Sequence, residues 1–423
     1  MDINLPYGKR LLEVTLPEYF EVDIIQPRQV PPAPNPLELV KASLQDLRGD
    51  VTWDDFSHPK SVGIAINDKT RPVPHQHLLP PLLQQLKKLG IPDAAITFYV
   101  AVGTHSPMTE EEFPTILPES ILENNKVLSH DSESRDMQLF LGSTKRGTPV
   151  WVNEGYFRSE LKIVVGNIAP HQFMGFSGGV KSAAIGLAGL ETIHHNHALM
   201  TNPHSELGRY ESNPARQDVE EIGKMIGVDL ALNAILTQDK KIIHVLAGDP
   251  QQVMKDGIPL VRGVCQVAVD DRYAFMIVSP GGYPKDINVY QAQKGMYHAA
   301  RVMKPGGTMI LVAACPEGSG SQHYEEWMVG RISYQDVLRY FAQDGFQIGP
   351  HKAYLIAKDA SRMRLLLYSE INRQTARDLL FDLVDDFQET LNRVVVGLEP
   401  GERIGILPHA ASTIPYLEDL QNE

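Results

Sequence analysis

Residues 161–182 read LKIVVGNIAPHQFMGFSGGVKS: an apolar run that turns abruptly into a loop rich in glycine, histidine and lysine. An uninterrupted apolar run of this length, bounded by polar residues, is the pattern of a strand buried on both faces of a parallel sheet. The same pattern occurs twice upstream. SVGIAIND (61–68) runs into NDKTRPVPH, and AITFYVAVGTH (95–105) runs into SPMTEEEF. In an open α/β sheet, ligands bind outside the carboxyl ends of the strands. Three strands that each end in polar groups therefore predict a site built from Asp68 and Arg71, from His105, and from His171 and Lys181. Each element has a plainer alternative. Asp68 and Arg71 can cap a turn as a surface ion pair, and His105 can be structural. The convergence of all three carries the inference.

The loop continues as SAAIGLAGLETIHHNH to residue 197. Gly175, Gly178, Gly179, Gly186 and Gly189 fall close together, as expected where backbone turns sharply or approaches a ligand. The Ala-rich run reads as the start of a helix, which places Lys181 near N–H groups that favour an anion. A triphosphate-binding P-loop requires G-x-x-x-x-G-K-[ST]. Residues 175–182 read GFSGGVKS, with Val180 at the position of the second Gly, and a β-branched residue follows that path only with strain. A cradle for another phosphate-bearing ligand is the better expectation. His194, His195 and His197 follow at once.

With 423 residues, 43% hydrophobic and 22% charged, the chain is expected to form two globular domains. A net charge of −13 argues against nucleic acid as a partner. Two cysteines in apolar surroundings suggest buried thiols in a reducing compartment. The first residues, MDINLPYGKR, carry no apolar signal region, and no apolar stretch is long enough to span a bilayer, so a cytoplasmic enzyme without a membrane partner is expected.

Taken in order, residues 9–25 alternate as an antiparallel hairpin, QPRQVPPAPNP is a connector, and QHLLPPLLQQLKKLG is an amphipathic helix. NPARQDVEEIGKMIG reads as a capped amphipathic helix before an apolar strand, LALNAIL. The boundary is expected near 265–272. That gives an α/β domain over 1–268 and a second over 269–423, with a cleft between them and the last 20 or so residues a candidate to return to the first domain. The second half opens with YAFMIVSPGGYPKD, a strand into a Gly/Pro loop, then the helix INVYQAQKGMYHAARVM. Tyr290 and Lys294 are four apart on that helix, and Gln291 and Lys294 three apart, so they share a face. For Lys294 alone, a solvated helix face is the better reading.

Jointly, NDKTRP (67–72), GTHSPMTEEE (103–112), PHQFMGFSGGVKS (170–182), His197 and VYQAQKG (289–295) resemble the lactate racemase family along nearly the whole chain. The resemblance implies a nickel-pincer nucleotide, a pyridinium mononucleotide tethered through the Lys181 amine, with nickel also bound by His197. That fits the preference of nickel for imidazole and sulfur. His105 and His171 would be the two acid/base residues for hydride removal from, and return to, a 2-hydroxy acid. Arg71, Lys294 and Gln291 would hold the substrate; Asp68, Ser177, Gly178, Gly179, Tyr290 and Gln291 would line the cofactor. The enzymes that build the cofactor would be partners. The pattern also departs from the family. Ser106 follows GTH where a basic residue is common, and none of Trp53, Trp151 or Trp327 stands where a pocket-walling Trp is expected, leaving Tyr354 and Phe346 as candidates. A larger or more polar 2-hydroxy acid than lactate is therefore in view. The other functional classes are a metal-dependent hydrolase using His171, His197 and Asp68, and a non-catalytic binding homologue. The first lacks an H-E-x-x-H motif, and the second does not explain why both histidines are present.

Overall fold

A computed structural model describes residues 1–56 and 58–418. The chain forms two α/β units, one of residues 29–264 and one of residues 1–28 with 265–423.

The first unit is organised around a six-stranded sheet. Its order is Ile242–Gly248, Leu230–Leu236, Leu161–Asn167, Val62–Asn67, Ile96–Ala101, Lys126–Ser129. All neighbours are parallel except Ile242–Gly248, which pairs antiparallel at one edge. The central strands are buried along almost their whole length, because helices cover both faces. Pro36–Gln45 and His75–Lys88 lay Val40, Leu44, Leu78, Leu82 and Leu86 on one of them. Since Leu161–Asn167 and Ile96–Ala101 flank Val62–Asn67 in parallel, the polar loops that follow all three leave the same edge.

The second unit has its own six-stranded sheet, all parallel, in the order Asp382–Leu383, Arg364–Tyr368, Met303–Val312, Tyr273–Val278, Ile404–Leu407, Val22–Ile24. The helix Val289–Ala300 packs Val289, Ala292, Met296 and Ala299 on one face.

Three expectations are corrected. The N-terminal hairpin is Asp2–Tyr7 with Arg10–Thr15, while Val22–Ile24 pairs with Ile404–Leu407 instead. Residues 1–28 accordingly belong with the C-terminal half and not with a domain over 1–268. The hairpin buries Leu5, Tyr7, Val14 and Leu16 against Phe275, Ile277, Ile404 and Ile406, partners more than 250 residues away that no local pattern reveals. The C-terminal strand Ile414–Leu417 likewise pairs within this unit, with Gln266–Val269, rather than returning to the first domain; residues 419–423 lie outside the described residues. Finally, the run after Lys181 is not one helix. Lys181–Ala184 makes a single turn, and a second helix, Leu190–Ala198, carries the histidines. A Cβ on Gly186 would lie 2.5 Å from that of Ala101, so close packing on the strand edge interrupts the helix. No helix among the described residues is long and apolar enough to cross a membrane.

Candidate active site

At the carboxyl edge of the first sheet, Asp68 is 3% exposed and fully engaged. One carboxylate oxygen accepts from the Thr70 N–H at 3.1 Å and the Thr70 hydroxyl at 2.7 Å, and the other accepts from Nδ1 of His105 at 2.6 Å. Burial alone would raise the Asp68 carboxyl. The bonds from His105 and Thr70, with the charge of Arg71, instead hold it below the usual carboxylate range. A carboxylate only accepts, so Nδ1 of His105 carries a proton, and Nε2 is the ring nitrogen turned away from Asp68. The resemblance implies a cofactor-contacting position for Asp68; within the protein its carboxylate also holds Nδ1 of His105.

His171 is on the short strand Pro170–His171, paired with Gly175–Phe176. Its Nδ1 accepts from the Met174 N–H at 3.4 Å, which leaves Nε2 as the ring nitrogen not engaged by that bond. The Phe173 ring packs edge-on to His171 at 4.9 Å and edge-on to His197 at 5.1 Å, spacing the two imidazoles with an apolar plate.

Lys181 is brought close to the same charges. Part of its side chain still reaches solvent, yet dense protein surrounds it. Burial, then the charges of Arg71 and Arg216, lower its ammonium from the ordinary value to about 7, with Asp68 opposing. Burial likewise lowers His197 to about 3, helped by the charges of Lys181, His194 and Arg71. Near neutral pH the site thus holds a nucleophilic amine and a neutral imidazole donor. His194 is lowered by burial and by His195, which lies on the exposed side of the same helix.

The loop before Lys181 is fixed by protein. The Ser177 hydroxyl donates toward Asn167 O at 3.1 Å and Ala169 O at 3.2 Å, and accepts from the Ala169 N–H. Gly179 N donates to Oδ1 of the buried Asn233 at 2.6 Å, and Ser182 donates to Asn67. Gly178 and Gly179 have φ of 91° and 55°, and a Cβ on either would meet Ile168, Asn233, Met254 or Arg216. Their missing side chains make room for protein; the loop backbone is what remains to face a ligand.

In the second unit, Tyr290, Gln291 and Lys294 share the first turns of Val289–Ala300, with Asn288 as N-cap. Lys294 Nζ donates to Gln291 Oε1 at 2.6 Å. The Tyr290 hydroxyl is 3.5 Å from Nε2 of His351, and Lys352 Nζ stands 4.6 Å over the Tyr290 ring. Of the two candidate pocket aromatics, Phe346 lies against His351 at 5.5 Å, whereas Tyr354 stacks on Phe341 in the core.

Several neighbours of the candidate residues in each unit were not singled out from sequence. Phe173, Asn233, Arg216, Asp218, His351 and Lys352 are buried polar or spacer groups whose partners are mostly backbone or distant in the chain. Only Asn233, a lone amide within the apolar LALNAIL, carried a local signal, since a polar residue in a buried strand must have a partner.

Comparison with known proteins agrees with this architecture. Residues 7–208 match the lactate racemase N-terminal domain and residues 270–414 the lactate racemase C-terminal domain. The lactate racemase of Lactiplantibacillus plantarum is 33% identical over 76% of this chain and 77% of its own. That of Thermoanaerobacterium thermosaccharolyticum is 28% identical over 98% of this chain and 99% of its own. The solved structure of a lactate racemase apoprotein from the latter organism has a TM-score of 0.90 at 27% identity, covering 98% of this chain and all of that one. A Thermotoga maritima protein of 19% identity shares the fold with a TM-score of 0.67. The fold and these likenesses place the chain among the isomerases, as an enzyme of the racemase type. It belongs to the lactate racemase family.

Proposed function

We propose that the enzyme racemises or epimerises a 2-hydroxy acid, with His105 and His171 as its acid/base pair. The observation that carries this reading is that two imidazoles, His105 held at Nδ1 by Asp68 and His171 bonded at Nδ1 by the Met174 N–H, follow the strands that flank the one leading to Asp68 and Arg71. One imidazole takes the substrate hydroxyl proton, and the other, in its protonated form, returns one to the product oxygen; turnover in the opposite direction exchanges these roles. Such general acid/base help is worth about 10²–10⁴-fold. Arg71 offers a planar fork to the substrate carboxylate. Lys294, with Gln291 and Tyr290, is proposed to hold the substrate and cofactor from the second unit.

The nickel-pincer nucleotide of the family fits the residues present. Lys181 is an amine held near pH 7, suited to a covalent bond, and His197 is a neutral donor. Among the described residues no group of three His, Cys, Asp or Glu could hold a metal, so a metal here must bring further ligands with a bound group. When bound, that nucleotide would supply the hydride acceptor that no side chain of the chain provides. Enzymes that build the nucleotide are the implied partners, and a cytoplasmic location belongs to the same proposal. The substrate class is left wider than lactate, because Phe346 rather than a Trp lies beside His351, the ring that packs edge-on to Tyr290.

Holo-protein incubated separately with single enantiomers of lactate, malate, an aryl-lactate and an aldonate tests the reading by chiral chromatography. Inversion at C2 of at least one is expected; retention of configuration in all, by protein shown to carry nickel, would overturn it.

A further inference from the structure

The helix Pro214–Ile226 presents an unusual buried face. Arg216 and Asp218 are both 0% exposed, and Glu220 is 5% exposed. Arg216 donates from Nη1 to Phe176 O at 3.1 Å and from Nη2 to Gly178 O at 3.1 Å, while Glu220 accepts from its Nε at 2.9 Å and from the Tyr210 hydroxyl at 2.9 Å. The guanidinium therefore clasps two carbonyls of the loop before Lys181, those of Phe176 and Gly178. Asp218 faces elsewhere. Its carboxylate accepts from Thr144 at 2.6 Å, Thr148 at 2.9 Å and Asn196 Nδ2 at 2.9 Å. Asn196 also donates to Ala215 O at 3.0 Å, and it is the residue before His197. The N-cap, Asn213, donates to Phe173 O at 2.9 Å, below the plate between His171 and His197. Packing reinforces these bonds: Gly223 has no Cβ, which would lie 2.5 Å from Val180.

One helix thus grips two separate elements, the loop of Lys181 and the helix of His197. Burying an Arg and two carboxylates is costly unless each is fully paired, and a fully paired buried network specifies one arrangement of its parts. A plain amphipathic helix would meet the same packing need with apolar residues. The proposed function adds a reason for the polar version. A group joined covalently at Lys181 and coordinated at His197 has a fixed span, so the protein must fix the distance between those residues.

We propose that Arg216 and Asp218 are positioning residues through which the helix Pro214–Ile226 holds Lys181 and His197 in register. The inference rests on the assignment of those two residues to one bound group, but it is tested on protein without cofactor.

Amide hydrogen exchange of the wild type comes first. The amides of Ser177, Gly179 and Lys181, in a glycine-rich loop, should be protected to the level of the helix Pro214–Ile226, because they open only with it. Fast exchange of the loop while the helix stays protected would overturn the proposal without any variant. Arg216→Lys, which cannot reach both carbonyls, should then speed exchange in residues 175–181 about tenfold and leave Leu190–Ala198 unchanged; Asp218→Asn should do the reverse. Removing both charges by Arg216→Met with Glu220→Met serves if the lysine variant does not fold. Uniform acceleration in both elements, matching a fall in Tm, would mean a merely structural role. Because these measurements read the apoprotein, a failed register and a failed cofactor assignment are told apart by mass analysis of Lys181 in protein made with the cofactor.

Discussion

Nδ1 of His105 lies 2.6 Å from a carboxylate oxygen of Asp68, and the hydroxyl of Thr70 holds the other oxygen at 2.7 Å. The carboxylate selects the His105 tautomer that leaves Nε2 free to accept a proton. Asp68→Asn keeps the shape but offers an amide in its place. Activity should fall about 10²–10⁴-fold, because the ring loses its orientation and its compensating charge, while Tm falls only by the modest contribution of this pairing. Kinetics and thermal melting of the same preparation check this; unchanged turnover would remove His105 from the acid/base role. The Asp68 carboxyl is depressed in the folded protein, so this pairing contributes stability above the ordinary carboxylate range. That contribution is lost as pH falls through the depressed value.

Lys181 should react as an unusually acidic lysine. With its ammonium lowered to about 7, acylation of the apoprotein by a small anhydride should reach half its maximal rate near that pH, whereas solvated lysines need about pH 10. Peptide mapping after timed labelling gives the profile. The sign for stability follows. Between about 7 and the ordinary value the unfolded chain binds a proton that the folded chain does not, so this group favours folding progressively as pH rises through that window. A Lys181 profile superimposable on those of surface lysines would contradict the site's electrostatics.

Acid should act on two histidines away from the chemistry. His75 and His298 are 1% and 4% exposed, and burial lowers each to about 4, against bonds from their Nδ1 to Ile116 O and to Ala410 O. Their neutral forms are native, so unfolding near pH 5 should take up about two protons at these positions. Tm should decline from pH 6.5 toward pH 4, and a flat Tm over that range would be inconsistent with two buried neutral rings.

The closeness of Gly223 to Val180 gives a packing test. A methyl group at 223 would stand 2.5 Å from Val180 Cβ, between a helix and a loop that are both tied down. Gly223→Ala should cost about 1–3 kcal/mol despite its better helix propensity, and adding Val180→Gly, which removes the Cβ as well as both methyl groups, should recover part of the loss. Denaturant midpoints of the two variants decide it; a stabilised Gly223→Ala would mean that the loop moves freely.

Much of the first unit could be read directly. Val62–Asn67, Ile96–Ala101 and Leu161–Asn167 are apolar runs because both their faces are covered, and each ends where a polar loop starts, so the shared edge follows from parallel pairing. What escaped has a common cause. Val22–Ile24 looks like the return strand of a hairpin until its partner, Ile404–Leu407, is known. Lys181–Ala184 has the composition of a longer helix, but Gly186 lies against Ala101. Arg216 and Asp218 look like the solvated side of an amphipathic helix, because the carbonyls of Phe176 and Gly178 and the amide of Asn196 leave no trace in composition. Likewise the Asp68–His105 bond joins two motifs that could each be recognised, but whose contact could not.

The central claim is that the amine of Lys181 carries the group that does the redox chemistry. Intact-mass and peptide analysis of protein produced together with the cofactor-building enzymes, alongside nickel content, tests it most directly. The account predicts a mononucleotide adduct on Lys181, near-stoichiometric nickel, and loss of the adduct in Lys181→Ala. Racemase activity from protein whose Lys181 is unmodified would contradict it.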